Sequence, residues 1–202
     1  MKILVTCFGP FGGESVNPAE KAVEQVPDVI EGAQIVKIEV PVVFDKATAT
    51  AYQAMKKEKP DVVLCVGQAG GRYAVTPERI GINVQDARIP DNEGNQPVDK
   101  PAFADGPDAY FTMLPIKAMM AKIKAAGVPA ELSETAGTYV CNDLMYGVLY
   151  HIHKEFPGMK GGFMHVPYLT EQVLNKKNTP ALSLPQITAA ITAALEAIVE
   201  NA

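Results

Sequence analysis

No stretch of this chain is apolar for long enough to cross a membrane, which excludes a helical membrane span. Its opening, MKILVTCFGP, carries one Lys and a short apolar run broken at Gly9-Pro10. That is too little for a secretory leader, so a cytoplasmic location is expected. Basic clusters are also missing. The nearest is Lys56, Lys57 and Lys59, which reads as the solvated end of a helix, and the net charge is −5. Nucleic acid and anionic membrane surfaces are therefore not expected as partners. The three cysteines include no CxxC pair, so neither a disulfide framework nor a zinc site is indicated, and free thiols are expected. Two glycine-rich runs, FGPFGG and GQAGGR, lack the Lys and Ser/Thr of a phosphate-binding P-loop and the GxGxxG spacing of a dinucleotide site. No linker, repeat or low-complexity segment divides the chain, so residues 1–202 are expected to form one domain. A chain of this length buries roughly 70% of its unfolded surface and needs no staple.

What is present alternates between strand and helix. The run at residues 2–7 is apolar and stops at a Gly/Pro loop, as a buried first strand would. Asn17-Pro18 is a helix start, with Asn as cap and Pro at the first helical position. A strand is expected over Gln34–Val40. Phe44, Ala47, Ala51 and Ala54 then recur at helical spacing, up to a stop at Lys59-Pro60. Residues 61–67, DVVLCVG, are continuously apolar, as in a central parallel strand. A strand is expected at 78–85, a long ordered loop at 86–108, and a helix over Ile116–Ile123 closed by Gly127. Another strand is expected near 129–133, a helix over 140–155, and a strand over Lys160–Val166. A last helix is capped by Ser183 with Gln186 and carries a stripe of Ile187, Ile191, Leu195 and Ile198. This alternation predicts an α/β fold with a mostly parallel sheet covered on both faces. Its site lies at the carboxyl ends of the strands, which puts Phe8, Gln68 and His165 on one rim.

Cys7 and Cys65 lie within apolar strands and read as buried packing residues. Cys141 follows TAGT and falls in the first turn of a predicted helix, where amides and dipole favour a thiolate. It also fits the inner stripe of that helix, so a packed, inert thiol is the competing reading. His151 and His153 are two apart on a helix and diverge. That suits solvated residues better than a metal pair. His165 ends an apolar strand just before Pro167 and is the candidate base. Glu78 could orient it, unless the neighbouring Arg79 neutralises it in a purely structural pair. Glu14 in the first glycine loop reads as solvated. Phe8 and Phe11 flank that loop and suggest an apolar pocket. Gln68 could both donate to and accept from an amide. A phosphorolytic enzyme using the glycine loops, or a non-catalytic small-ligand binding module, are alternatives on this reading.

The segments FGPFGGESVNP, VGQAGGR, ERIGINVQDARI, ETAGTYVCNDLMY and FMHVPYLTEQ together resemble the pyroglutamyl-peptidase I family of cysteine peptidases, in that family's order and spacing. Tyr139 stands where the family frequently has Phe. The resemblance implies a three-layer α/β/α sandwich around a mostly parallel twisted sheet, no cofactor or metal, and a homotetramer. It implies peptide substrates with an N-terminal pyroglutamyl residue, attacked by a thiolate to give an acyl-enzyme. It further implies a triad of Cys141, His165 and Glu78, with Arg88 near the oxyanion. The implied ring pocket comprises Phe8, Phe11, Asn17, Gln68, Ile89, Tyr139 and Val140.

Overall fold

A computed structural model describes all 202 residues. In chain order the elements are β1 (Lys2–Phe8), α1 (Pro18–Gln25), β2 (Val29–Ile30), β3 (Ala33–Val40), α2 (Lys46–Glu58), β4 (Val62–Gln68), β5 (Thr76–Pro77) and β6 (Ile80–Ile82). They continue with β7 (Ala109–Phe111), α3 (Ile116–Ala125), α4 (Val140–Glu155), β8 (Lys160–Val166), β9 (Tyr168–Leu169), β10 (Ala181–Leu182) and α5 (Leu184–Glu200). The main sheet has the order β2-β3-β1-β4-β8-β5. Its four central strands are parallel, and the short edge strands β2 and β5 run antiparallel to them.

The central strands are apolar throughout because both of their faces are covered. Alternate side chains enter two separate cores. Ile3, Val5, Leu64, Val66 and Met164 pack with α1, α3 and α5. Leu4, Phe8, Val63, Cys65 and Phe163 pack with α2 and α4. This is the expected three-layer sandwich. Local signals set the helix ends. Asn17 accepts from the Ala19 amide at the start of α1, and Gln186 reaches back to Ser183 ahead of α5. Gly127, at φ +78°, turns the chain away after α3.

Two expected strands differ. Of the run at 78–85 only Ile80–Ile82 forms regular strand, β6, which pairs only with β7, while β5 just ahead of the run joins the main sheet. Glu78 lies between them. Near 129–133 only single bridges form, Val75 with Ala130 and Glu78 with Ser133. Pro129 has no N–H to extend that pairing. The short strands β2, β7, β9 and β10 fall below the length at which periodicity is readable. Residues 86–108 form neither helix nor regular strand, as expected, and residues 83–85, expected as strand, form only the single bridge of Gln85 with Lys100.

Candidate active site

Because β1, β4 and β8 are parallel, their carboxyl ends share one rim. Phe8 ends β1, Gln68 ends β4, and His165 lies beside Gly67 across the β4–β8 pairing. Gly67 is needed there. A Cβ at that position would stand 2.8 Å from the Phe163 ring and 3.1 Å from the Cys141 sulfur. Its absence lets α4 bring Cys141 down onto the rim.

A cavity of about 850 Å³ opens at this rim. It gathers Phe8, Phe11, Asn17, Gln68, Arg88, Ile89, Tyr139, Val140, Cys141 and His165. Glu78 stands behind the imidazole, fully buried, and does not reach the cavity. His165 is also buried, and its Nδ1 donates to Glu78 Oε1 at 2.6 Å. A carboxylate only accepts, so the proton lies on Nδ1 and leaves Nε2 with a lone pair. Phe163 packs against the ring at 4.7 Å between centroids.

Arg79 is not the partner of Glu78. It binds Glu134 at 2.6 Å, because neighbouring residues of an extended segment point to opposite sides. The partner is Arg72, the last residue of GQAGGR. It donates to Glu78 Oε1 at 2.6 Å, to Thr76 Oγ1 at 2.5 Å and to the Thr135 carbonyl at 3.2 Å. Sequence reasoning missed this residue; a lone Arg closing a glycine loop after a central strand was the available signal. Burial alone would raise the Glu78 carboxyl, but the His165 hydrogen bond and charge, aided by Arg72, hold it below the ordinary 4.5.

Cys141 sits in the first turn of α4, as expected. The helix has no side-chain cap at Tyr139, so its first amides have no partner within the helix. Burial, reinforced by the negative charge of Glu78 and opposed by Arg72, pushes the Cys141 thiol up to about 12. Cys7 and Cys65 are buried, and their thiols are also raised to about 12, chiefly by burial.

The pocket walls come from loops that are tied down. Tyr139 packs edge-on against Phe44 at 5.4 Å and lies 6.3 Å from Phe11, and its hydroxyl donates to the Pro90 carbonyl. The Asn17 amide is engaged at both ends, by Ala19 N–H and by the Gly9 carbonyl, and so it shapes the first glycine loop. Arg88 is exposed at the rim and makes no ion pair. Glu14 is not simply solvated: it binds Lys176 and Gln172. His151 is half-buried between Tyr52 and Phe103 rather than solvated. His153 stacks on Tyr110. No group of three or more His, Cys, Asp or Glu is placed to hold a metal ion.

The family model for pyroglutamyl peptidase matches residues 1–201 of this chain. The pyrrolidone-carboxylate peptidase of Lactobacillus johnsonii is 58% identical over 201 residues, covering 100% of this chain and 94% of that protein. The pyrrolidone-carboxylate peptidase of Alkaliphilus oremlandii is 54% identical over the same shares. The crystal structure of Bacillus amyloliquefaciens pyroglutamyl peptidase I superposes with a TM-score of 0.95 at 50% identity, covering 98% of this chain and 97% of that one. A mutant pyrrolidone carboxyl peptidase from the hyperthermophile Pyrococcus furiosus gives 0.95 at 41% identity, covering 100% and 99%.

Proposed function

The chain belongs to the pyroglutamyl peptidase family, and from that premise we propose that it removes N-terminal pyroglutamyl residues from peptides through Cys141, His165 and Glu78. It is a cysteine peptidase of that family, which displaces the phosphorolytic and binding-module readings. The observation that carries the assignment is the His165 imidazole, backed by buried Glu78, opening with Cys141 onto one rim cavity.

The roles follow from the groups present. His165 Nε2 takes the Cys141 proton as the sulfur attacks the pyroglutamyl carbonyl. The sulfur–carbon bond forms and negative charge gathers on the carbonyl oxygen. The uncapped amides at the start of α4 meet that charge, with the Arg88 guanidinium nearby at the rim. His165 then passes its proton to the leaving amine as the carbon–nitrogen bond breaks. Water, activated by the same nitrogen, clears the acyl-enzyme. Glu78 holds the imidazole tautomer and stabilises the imidazolium. Phe8, Phe11 and Tyr139 supply apolar faces for a ring that carries no charge. Gln68 supplies an amide, and Asn17, Ile89 and Val140 complete the wall.

Residues 1–202 act as one peptidase domain in this reading. The unpaired thiols fit a reducing cytoplasm, and no helix is long and apolar enough to cross a membrane. A homotetramer accords with the exposed Val29, Val98, Phe111 and Leu174. Sedimentation should then give four times the 21.6 kDa chain mass. The decisive assay is release of a fluorescent amine from a pyroglutamyl amide. Turnover should vanish on thiol blocking and survive chelators. Peptides with a free N-terminal Gln should be poor substrates, because their ammonium would have to be desolvated among aromatic rings. Equal cleavage of both would overturn the pocket assignment.

A further inference from the structure

The substrate ring of the proposed reaction offers two hydrogen-bonding groups, a carbonyl and an N–H. Gln68 could serve either one, because an amide can present oxygen or nitrogen. The surrounding hydrogen bonds decide between them. Gln172, in the 3₁₀ turn Thr170–Val173 that follows β9, accepts from its own chain: the Leu169 N–H donates to Gln172 Oε1 at 2.9 Å. That backbone donor fixes which end of the Gln172 amide is oxygen. The other end, Nε2, faces Glu14 Oε2 at 3.3 Å and the Val16 carbonyl at 3.4 Å, both acceptors, which agrees with that assignment. The same Nε2 lies 3.1 Å from the side-chain oxygen of Gln68. An N–H must meet an oxygen, so the orientation set at Leu169 is passed on to Gln68. The Gln68 oxygen is then occupied by protein. Its NH₂ group makes no hydrogen bond within the chain, and the residue is buried at the cavity wall.

We propose that Gln172 is a positioning residue that locks Gln68 as a hydrogen-bond donor, so that Gln68 recognises the ring carbonyl of the substrate and not its N–H. This rests on the pyroglutamyl-peptidase reading and adds its specificity device. Glu14 and Lys176 complete the support: Lys176 pairs with Glu14 and lies over the Tyr168 ring at 4.2 Å, which ties the first glycine loop to the 168–177 segment. Without Gln172 the Gln68 amide is free to turn. An amide turned the wrong way sets an oxygen against the substrate's carbonyl oxygen, which weakens binding of substrate and transition state alike.

The experiment is steady-state kinetics on a fluorogenic pyroglutamyl amide with the intact protein, Gln172→Met, Gln68→Ala and the double variant, with thermal melts alongside. Wild-type turnover tests the underlying reading separately: if it is absent, that reading fails whatever the variants do. With wild-type turnover present, Gln172→Met should raise KM by about tenfold with kcat little changed, the size of one lost hydrogen bond. In the Gln68→Ala background the same change should add nothing, because Gln172 acts through Gln68. An unchanged KM in the single variant, or an undiminished effect in the double, overturns the proposal. A second substrate settles the direction of the bond. In a 3-oxocyclopentane carboxamide the ring carbonyl stays and the N–H becomes CH₂. Gln172→Met should weaken its binding as much as that of the lactam. If the effect disappears with the N–H, Gln68 is an acceptor and the assignment is wrong. Should Gln172→Met melt early, Gln172→Glu keeps the shape and the acceptor for the Leu169 N–H but has no N–H for Gln68, and should raise KM in the same direction, again only while Gln68 is present.

Discussion

At the scale of single residues, three thiols of one chemical type are separated by where their side chains point. Cys7 faces the core under α1 and α5, Cys65 faces the core under α2 and α4, and only Cys141 reaches the cavity. Cys141→Ser should cut kcat/KM by at least about a thousandfold with an unchanged melt. Cys7→Ser and Cys65→Ser should instead lose about 1–3 kcal/mol of stability, since each buries a hydroxyl in place of a soft sulfur, and should keep their KM. Denaturant titration and kinetics on the three variants separate these outcomes. Arg72 makes a different kind of prediction. Its charge helps to hold the Glu78 carboxyl below its ordinary value. Without it the carboxyl protonates at a higher pH, and the imidazole loses its anionic partner sooner as the medium is acidified. Arg72→Ala should therefore move the acid limb of kcat/KM toward neutral pH. It should also lower the plateau by about ten- to a hundredfold, the value of a charge-assisted bond. A pH profile that drops uniformly without moving would reduce Arg72 to a structural tie.

At the scale of elements, the site depends on how the 83–108 loop is fastened to the start of α4. Asn142, next to the proposed nucleophile, donates to the carbonyls of Ile82 and Val84 and accepts from the Ile82 N–H. The Thr138 hydroxyl donates to the Asp86 carbonyl, and Asp91 accepts from the Phe44, Glu93 and Asn95 amides. This accounts for an ordered loop with no regular structure: its backbone groups are satisfied by irregular backbone pairs such as Gln85 with Lys100 and Ala87 with Pro97, and by these side chains. Asn142→Ala removes three side-chain hydrogen bonds and leaves the part-buried Ile82 N–H and Val84 carbonyl without these partners, while the Ile82 carbonyl keeps the Val84 N–H. It should lower stability by about 2–4 kcal/mol. It should also raise KM, because Arg88 and Ile89 ride on the loop it fastens. A melt that falls with KM unchanged would show that the loop keeps its place without this staple.

Across the whole molecule the sheet separates two tasks. The core on the α1, α3 and α5 side carries none of the triad, while α4 on the other side delivers Cys141. Ile191→Ala, in a fully buried position on α5, should cost about 2–5 kcal/mol of stability through the cavity it leaves. Its kcat and KM at a temperature where it is folded should match those of the unaltered protein. A changed KM would mean that strain crosses the sheet.

Much of this could be read along the chain, and the rest could not, for one physical reason. Period and capping are local. The apolar runs at β1, β4 and β8, the Asn17-Pro18 start, the Ser183–Gln186 cap and the stripe of α5 follow from backbone geometry within a few residues, and each appears close to its expected place. Parallel strands then put Phe8, Gln68 and His165 on one rim without further information. Which charge meets which is a tertiary matter. Arg79 adjoins Glu78 in sequence yet points away, while Arg72 returns across a glycine turn to bind it. The break between β5 and β6, which frees Glu78 to reach His165, depends on strand partners far away along the chain. The ionisation of Cys141 depends on how tightly its surroundings exclude water. The donor end of Gln68 depends on Gln172, more than a hundred residues downstream. Hydrogen bonds and desolvation act through space, and only the packed fold determines which groups come within their reach.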